Sequence, residues 1–402
     1  MNDLRDPEAY RTQVREWLAA NVPPPSTVTG DAAVERSKAF AQRVYDAGFS
    51  GIDVPEAYGG QGLGPAEQQI WREESSQVAI PMSIYDIGFG MCGPIVVALG
   101  TEEQKKRYVP PLLAGSEIWC QLFSEPAAGS DVAALRTKAV LDGDEYTVNG
   151  QKVWTTGAQF CDYGILLART NPDVPKHRGI TMFIVDMRAP GVTVRPLIDM
   201  GGGAHFNEVF FDDVRIPADH VVGEVDKGWD AARLLLSFER LAVSGGGSGI
   251  EGAASGPLSF AGLTAAARDA GTLASASAQD DLVDLFLLEH SINTFNERLA
   301  REYEAGIDPG ARGSIGKLLK GRREVAAAGL TGRLIGDDAV FNTGSAPART
   351  TAALRCFALP IGGGTNEIQL SIIGERVLGL PREPQSDLKT AFRDMDSRRK
   401  DV

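Results

Sequence analysis

Apolar side chains recur every three to four residues over the first quarter of the chain, and the spacing of Val14, Trp17 and Leu18 predicts a helix opening near Pro7. Pro23, Pro24 and Pro25 close it. A second helical run covers residues 32–47, and Gly59, Gly60, Gly62 and Gly64 form a loop ahead of a third at 65–78. Thr101 with Gln104 reads as a capping box, opening a helix that runs toward Leu113 and stops at Gly115. The period then changes from 3.6 to 2, with turn residues at 142–145, 172–175 and 189–191. At least four strands follow, carried by Tyr146, Val148 and Val153, then 165–168, 180–185 and 209–211. From Gly228 the helical period returns and lasts to Leu378, interrupted by a Gly- and Ala-rich stretch over 245–277. The residues after Leu380 are charged and predict a loose tail. The pattern divides the chain into an N-terminal helical domain (1–117), a central antiparallel β domain (118–225), a C-terminal helical domain (226–380) and a polar tail (381–402). Helices and strands in separate runs argue for the α+β class and against a doubly wound sheet.

Composition narrows the chemistry. A length of 402 residues allows two or three structural units, and 43% hydrophobic residues can bury a sizeable core. Lys and Arg number 40 against 53 Asp and Glu, a formal charge of −13 with no basic cluster, which argues against nucleic acid as a partner. Cys92, Cys120, Cys161 and Cys356 form no CxxC pair, and His177, His205, His220 and His290 are the only histidines. Neither a metal site nor a disulfide framework is supported, and a reduced, cytoplasmic setting is expected. Residues 1–10 are polar, without the apolar core of a signal peptide, and no stretch approaches the roughly 18 apolar residues of a spanning helix, so no membrane insertion is expected. With His and Cys scarce, a carboxylate or a bound cofactor becomes the expected agent of any chemistry.

Three motifs stand out. Residues 247–252 spell GxGxxG, with Asp269 near the distance of a ribose-binding acid. The dinucleotide fingerprint needs a preceding strand, however, and Leu234 to Ala242 reads as a helix already in progress, so small residues permitting close approach are the better reading. The segment from Gln121, Leu122, Phe123, Ser124 and Glu125 to Ser130 and Asp131 crowds hydroxyls, small residues and backbone donors where helices give way to strands. This suits a flat polar ligand or an ordinary turn. Lys152, Val153, Trp154, Thr155, Thr156 and Gly157 end a strand with a large aromatic and two hydroxyls, a stacking platform or a core residue.

Together, at this spacing, the last two segments resemble the acyl-CoA dehydrogenase family. The resemblance continues through residues 236–241 (LSFERL), 362–369 (GGGTNEIQ) and 375–379 (ERVLG) and covers nearly the whole chain. It implies an N-terminal helical domain, a central β-barrel or sandwich and a C-terminal four-helix bundle, with FAD as cofactor. By position, Gln121, Leu122, Phe123, Ser124 and Ser130 would line the flavin through backbone and hydroxyl groups. Trp154, beside Thr155, would lie against the isoalloxazine, and Thr156 would donate toward its N5 edge. Thr365 and Glu367 would approach its ribityl and phosphate end.

The reaction implied is removal of an acyl α-proton by a carboxylate with hydride transfer to flavin, leaving a trans-2-enoyl-CoA. A weakly acidic α-proton demands a base of raised pKa and donors for the thioester carbonyl. Short- and medium-chain members place the base two residues before the Thr of the last motif, where this chain has Gly363. Isovaleryl- and long-chain-type members use a second position, just before an Arg on the first helix after the β domain. That residue is Glu239, followed by Arg240, with apolar neighbours Leu235, Leu236, Ala242 and Val243 at helical spacing. Gly363 retains the backbone N–H that the family uses as a carbonyl donor, and Ser130, Ser237, Arg240, Gly363 and Gly364 would touch the thioester or CoA. Gly88, Gly90, Gly245, Gly246, Gly247 and Gly249 would make room for a bulky or branched acyl group, in the boldest version a steroid side chain.

Two departures bear on partners. Homotetrameric members send RxxFG and QxxGGxG segments onto a neighbour's FAD, and residues 267–278 and 334–344 do not match them. The expectation is a tetramer, in the form of the catalytic half of an α2β2 assembly with a homologous subunit as in actinobacterial steroid-catabolising members, passing electrons to an electron-transfer flavoprotein or similar acceptor. The alternatives are a non-catalytic partner subunit, suggested by Gly363, and a flavin oxidase or monooxygenase on the same fold.

Overall fold

The computed structural model describes residues 6–26, 28–244, 256–341, 346–384 and 388–395, with the side chains of 239–244, 303, 304, 341 and 346 outside that description. The chain divides into two compact units: Met1–Leu197 with His205–Glu239 and Pro384–Val402, and Ile198–Ala204 with Arg240–Glu383. The N-terminal helices and the sheet therefore share one unit. Among the described residues, no helix is long and apolar enough to cross a membrane.

In the first unit, α1 (Pro7–Asn21) turns Tyr10, Val14 and Leu18 inward, and its last amide bond, Val22 N to Leu18 O, precedes the three prolines that cannot continue a helix. Next come α2 (Asp31–Asp46), α3 (Pro65–Ser75), α4 (Gly93–Leu99) and α5 (Glu102–Leu113). The expected capping box is present: Gln104 N donates to Thr101 Oγ1 at 3.2 Å, and Thr101 N to Gln104 Oε1 at 3.1 Å. A single π-turn over Gly88–Cys92 leads into α4. Gly88 is buried there, packed against Trp119 and Leu112.

Seven strands follow: β1 (Trp119–Leu122), β2 (Lys138–Asp142), β3 (Glu145–Thr156), β4 (Tyr163–Arg169), β5 (Ile180–Asp186), β6 (Val192–Leu197) and β7 (Phe206–Pro217). They form one sheet in the order β1-β4-β2-β3-β7-β6, with β5 paired to β4. Most pairings are antiparallel, as expected, but β1 runs parallel to β4, and β2 meets β4 in parallel at Lys138 and Arg169. Three strands escape the sequence pattern. The runs of β1 and β2 are four and five residues long, and β6 contains Pro196, which an edge strand tolerates because no neighbour needs its missing N–H. The charged tail also differs from expectation in its described part. Phe392 N donates to Val174 O at 2.9 Å, Ala391 bridges Pro175, and Arg393 pairs with Asp173. The Arg169 guanidinium lies 3.8 Å from the centroid of the Phe392 ring, and burial lowers its pKa to about 10.

α6 (Gly228–Ser244) starts against the sheet, where Ala231, Ala232 and Leu235 join its core. The second unit holds α7 (Phe260–Asp269), α8 (Ala276–Glu304), α9 (Gly313–Ile335), α10 (Asp337–Phe341), α11 (Ala346–Leu354), α12 (Ala358–Ile361) and α13 (Asn366–Ile372). Leu263, Leu282, Leu285, Ala327, Leu330 and Leu334 form its core along α9. Buried Arg323 on α9 ties Glu289 (2.5 Å) and the Leu258 carbonyl (2.7 Å) together. The GxGxxG stretch and Gly245, Gly246, Gly247 and Gly249 lie outside the described residues.

Candidate functional site

The first unit offers a wall built from two adjacent segments. β1 ends in Gln121 and Leu122, and the chain continues through Phe123, Ser124 and Glu125 beside the end of β3, where Val153 N donates to Ser124 O at 2.9 Å. Leu122 and Phe123 bury their side chains in the core, so only their backbones remain available, while Gln121 and Ser124 are half-buried and Ser130 is exposed. Between Lys152 and Thr155 the pairing of β3 with β7 slips, and within that slip Trp154 adopts a left-handed φ of 61°. A bulky residue in that region is a genuine outlier. The slip leaves Trp154 61% exposed between buried Val153 and Thr155, its ring edge-on to Phe206 at 5.8 Å. The Thr155 carbonyl accepts from Asn207 Nδ2 at 3.0 Å. Its hydroxyl is enclosed and has no hydrogen-bond partner among the described residues, which separates Thr155 from the half-buried Thr156 beside it.

A lysine and a glutamate that sequence patterning did not assign hold this wall. Lys152 is completely buried and donates to Glu125 Oε1 (2.8 Å) and to the Phe123 carbonyl (3.1 Å). Glu125 also accepts from the amides of Arg136 (2.6 Å) and Thr137 (2.9 Å). Burial opposes both charges. At Glu125 the nearby ammonium and these donors outweigh it and hold the carboxyl below its ordinary value, whereas at Lys152 desolvation is the larger influence and lowers the ammonium. Asp131, next to Ser130, pairs with Lys176 at 2.9 Å.

The second unit offers a turn. Gly363 and Gly364 both take left-handed φ, 67° and 85°, and lead into α13, whose N-cap Thr365 accepts from Ile368 N at 3.3 Å. Lys317 of α9, 2% exposed, donates to the Gly364 carbonyl at 2.6 Å, and the Gln369 amide donates to the carbonyls of Gly363 (3.1 Å) and Gly364 (3.2 Å). With the carbonyls engaged inside the unit, each partner N–H across the planar peptide is directed away from them. The exposed Glu367 stays below the ordinary carboxylate value through its own amide, the Thr365 hydroxyl and the Lys317 charge. No sequence signal marks Lys317, which lies 47 residues from the glycine it serves.

On α6, Ser237 Oγ donates to Leu234 O at 2.6 Å. Glu239 and Arg240 follow on the same helix, their side chains outside the description. Residues 267–278 and 334–344, which depart from the neighbour-serving segments, meet where Thr272 Oγ1 donates to the Leu334 carbonyl at 2.6 Å. Arg333 beside them is engaged by Asp281 at 2.9 Å.

Family models match the chain in three consecutive blocks: the acyl-CoA dehydrogenase N-terminal domain over residues 5–116, the middle domain over 120–214 and the C-terminal domain over 226–378. The chain is 36% identical over 391 residues to the acyl-CoA dehydrogenase IpdE1 of Mycobacterium tuberculosis, covering 94% of this chain and 99% of that one. It is 40% identical over 343 residues to the acyl-CoA dehydrogenase FadE34 of the same organism, covering 84% of this chain but only 45% of that longer protein. Among solved structures it is similar to the Tcur3481-Tcur3483 steroid ACAD, with a TM-score of 0.78 and 29% identity over 95% of this chain and 100% of that one.

Proposed function

The chain belongs to the acyl-CoA dehydrogenase family of FAD-dependent enzymes, and from that premise we propose that it removes hydrogen across the α,β bond of a bulky or branched acyl-CoA, giving the trans-2-enoyl-CoA. The observation that carries the reading is Trp154, a large aromatic turned outward on a left-handed backbone beside the Ser124 segment. Such a plate fits a flat, polar-edged ring: it supplies the stacking face, and Ser124, Thr156 and the backbone of residues 121–124 supply hydrogen-bonding groups around it. FAD, when bound, supplies the acceptor for the electrons.

This chain's own residues then divide the work. Glu239 takes the α-proton, since position 363 carries no carboxylate. The Gly363 N–H receives the thioester carbonyl oxygen as negative charge grows on it, and the Lys317 and Gln369 bonds to the carbonyls of Gly363 and Gly364 hold the turn that carries this donor before substrate arrives. Thr365 and Glu367 flank the ribityl and phosphate end, and Ser130, Ser237 and Arg240 steady the thioester and CoA. The steroid-named structural relative supports a steroid side-chain thioester as the acyl group. That relative's paired name, with the departure of residues 267–278 and 334–344 from the neighbour-serving segments, supports an α2β2 assembly with a homologous subunit.

Anaerobic mixing of the flavin-loaded protein with a panel of CoA thioesters, alone and with a co-expressed homologous subunit, tests the proposal. Bleaching of the flavin's visible absorption fastest with branched or steroid side-chain thioesters is expected. Best turnover with linear C4 to C8 chains removes the bulky-substrate reading, rapid reoxidation by air favours an oxidase, and no bleaching with any thioester favours a non-catalytic subunit.

A further inference from the structure

In a regular strand, residues two apart face the same side. Lys152 and Trp154 break that rule: the lysine is fully buried while the tryptophan is 61% exposed. The register slip and the left-handed backbone at 154 achieve the reversal, and each is unfavourable by itself. A lysine free to choose would swing its ammonium to water, and a strand that relaxed to regular alternation would carry Trp154 off its outward position. What keeps Lys152 inside is a specific set of contacts: Glu125 at 2.8 Å and the Phe123 carbonyl at 3.1 Å. Those partners flank Ser124, whose carbonyl takes the amide of Val153, the residue between the lysine and the tryptophan. Glu125 is in turn fixed by two amides from residues 136 and 137.

We propose that the buried Lys152–Glu125 pair is the latch that presents Trp154, so that both are positioning residues for the ring this plate receives. The latch fixes two things at once, the left-handed bulge and the spacing of the Ser124 segment from it. The identity of the ring rests on the flavin reading given above, whereas the latch itself is a property of the protein without ligand.

The test separates the two. Removing one partner strands the other's charge in the interior, so the informative variant is the double substitution Lys152→Met with Glu125→Gln, which removes both charges at similar volume. In the flavin-free chain carrying 5-fluorotryptophan, the resonance of Trp154, assigned with Trp154→Phe, is expected to shift in the double variant while those of Trp17, Trp71, Trp119 and Trp229 hold. The FAD dissociation constant is expected to rise at least tenfold. An unmoved Trp154 resonance with FAD affinity within twofold of the parent overturns the latch. A moved resonance in a protein whose parent binds no FAD upholds the latch and removes the flavin reading. If the double variant does not fold, adding Trp154→Gly, which relieves the left-handed backbone, is expected to restore cooperative unfolding. Failure to restore it marks the pair as general support and overturns the proposal.

Discussion

The β wall and the glycine turn present different things by opposite means. At the wall, a large side chain is displayed and the backbone beneath it is strained, so it is held by a fully buried ion pair and a run of amide contacts. At the turn, bare backbone is displayed and left-handed φ comes cheaply to glycine, so one ammonium and one side-chain amide suffice. On the proposed roles, a plate must be rigid in shape, whereas a backbone donor must be rigid only in direction. The contrast fits the proposal that neither region supplies the base: the wall's carboxylate is paired with Lys152, and position 363 of the turn is glycine.

The largest effect on stability should separate the two lysines. Lys152→Met strands the Glu125 carboxylate in the interior and should cost about 3–5 kcal/mol in urea unfolding, while Lys317→Met strands a carbonyl that Gln369 still serves and should cost about 1–3 kcal/mol. Equal costs would erase the contrast. Acid should weaken the wall. Glu125 titrates below its ordinary value of 4.5, so the stability it lends is complete above that pH and is lost as pH falls through the lower folded value. The melting temperature should drop steeply below about 4.5, and more gently in the Lys152→Met/Glu125→Gln variant. At the turn, an added Cβ on Gly364 would sit 2.8 Å from Gln369 Nε2 on a φ of 85°. Gly364→Ala should therefore cost about 1–2 kcal/mol in thermal unfolding and raise KM for acyl-CoA, leaving the Trp154 resonance in place.

Much of the fold was legible because it is written in local pattern. The Thr101–Gln104 box and the triple proline mark helix ends by chemistry confined to a few residues. β6 was not legible, since its proline is acceptable only at an edge, and edges are a property of the assembled sheet. Lys152 was hidden for a related reason. Two positions before an aromatic in a strand, a lysine reads as unremarkable, and only the register slip with Glu125 across from it puts the charge inside. Phe392 was masked by the charged residues around it, although a lone aromatic can anchor an arm on an arginine. At the site, the segments around Ser124, Trp154 and Gly363 were visible as motifs, and of the groups that hold them Glu125, Lys152 and Gln369 lay inside those motifs with no role to mark them, whereas Lys317 and the amides of residues 136 and 137 come from elsewhere in the chain.

The central claim is that proton removal falls to Glu239 while the wall and the turn only hold and orient. Its most direct test is the rate of anaerobic flavin reduction by a branched acyl-CoA in Glu239→Gln against the parent, with FAD content and the Trp154 resonance measured in the same samples. The account predicts a rate lower by about 10³-fold with cofactor and tryptophan unchanged. An undiminished rate would contradict it.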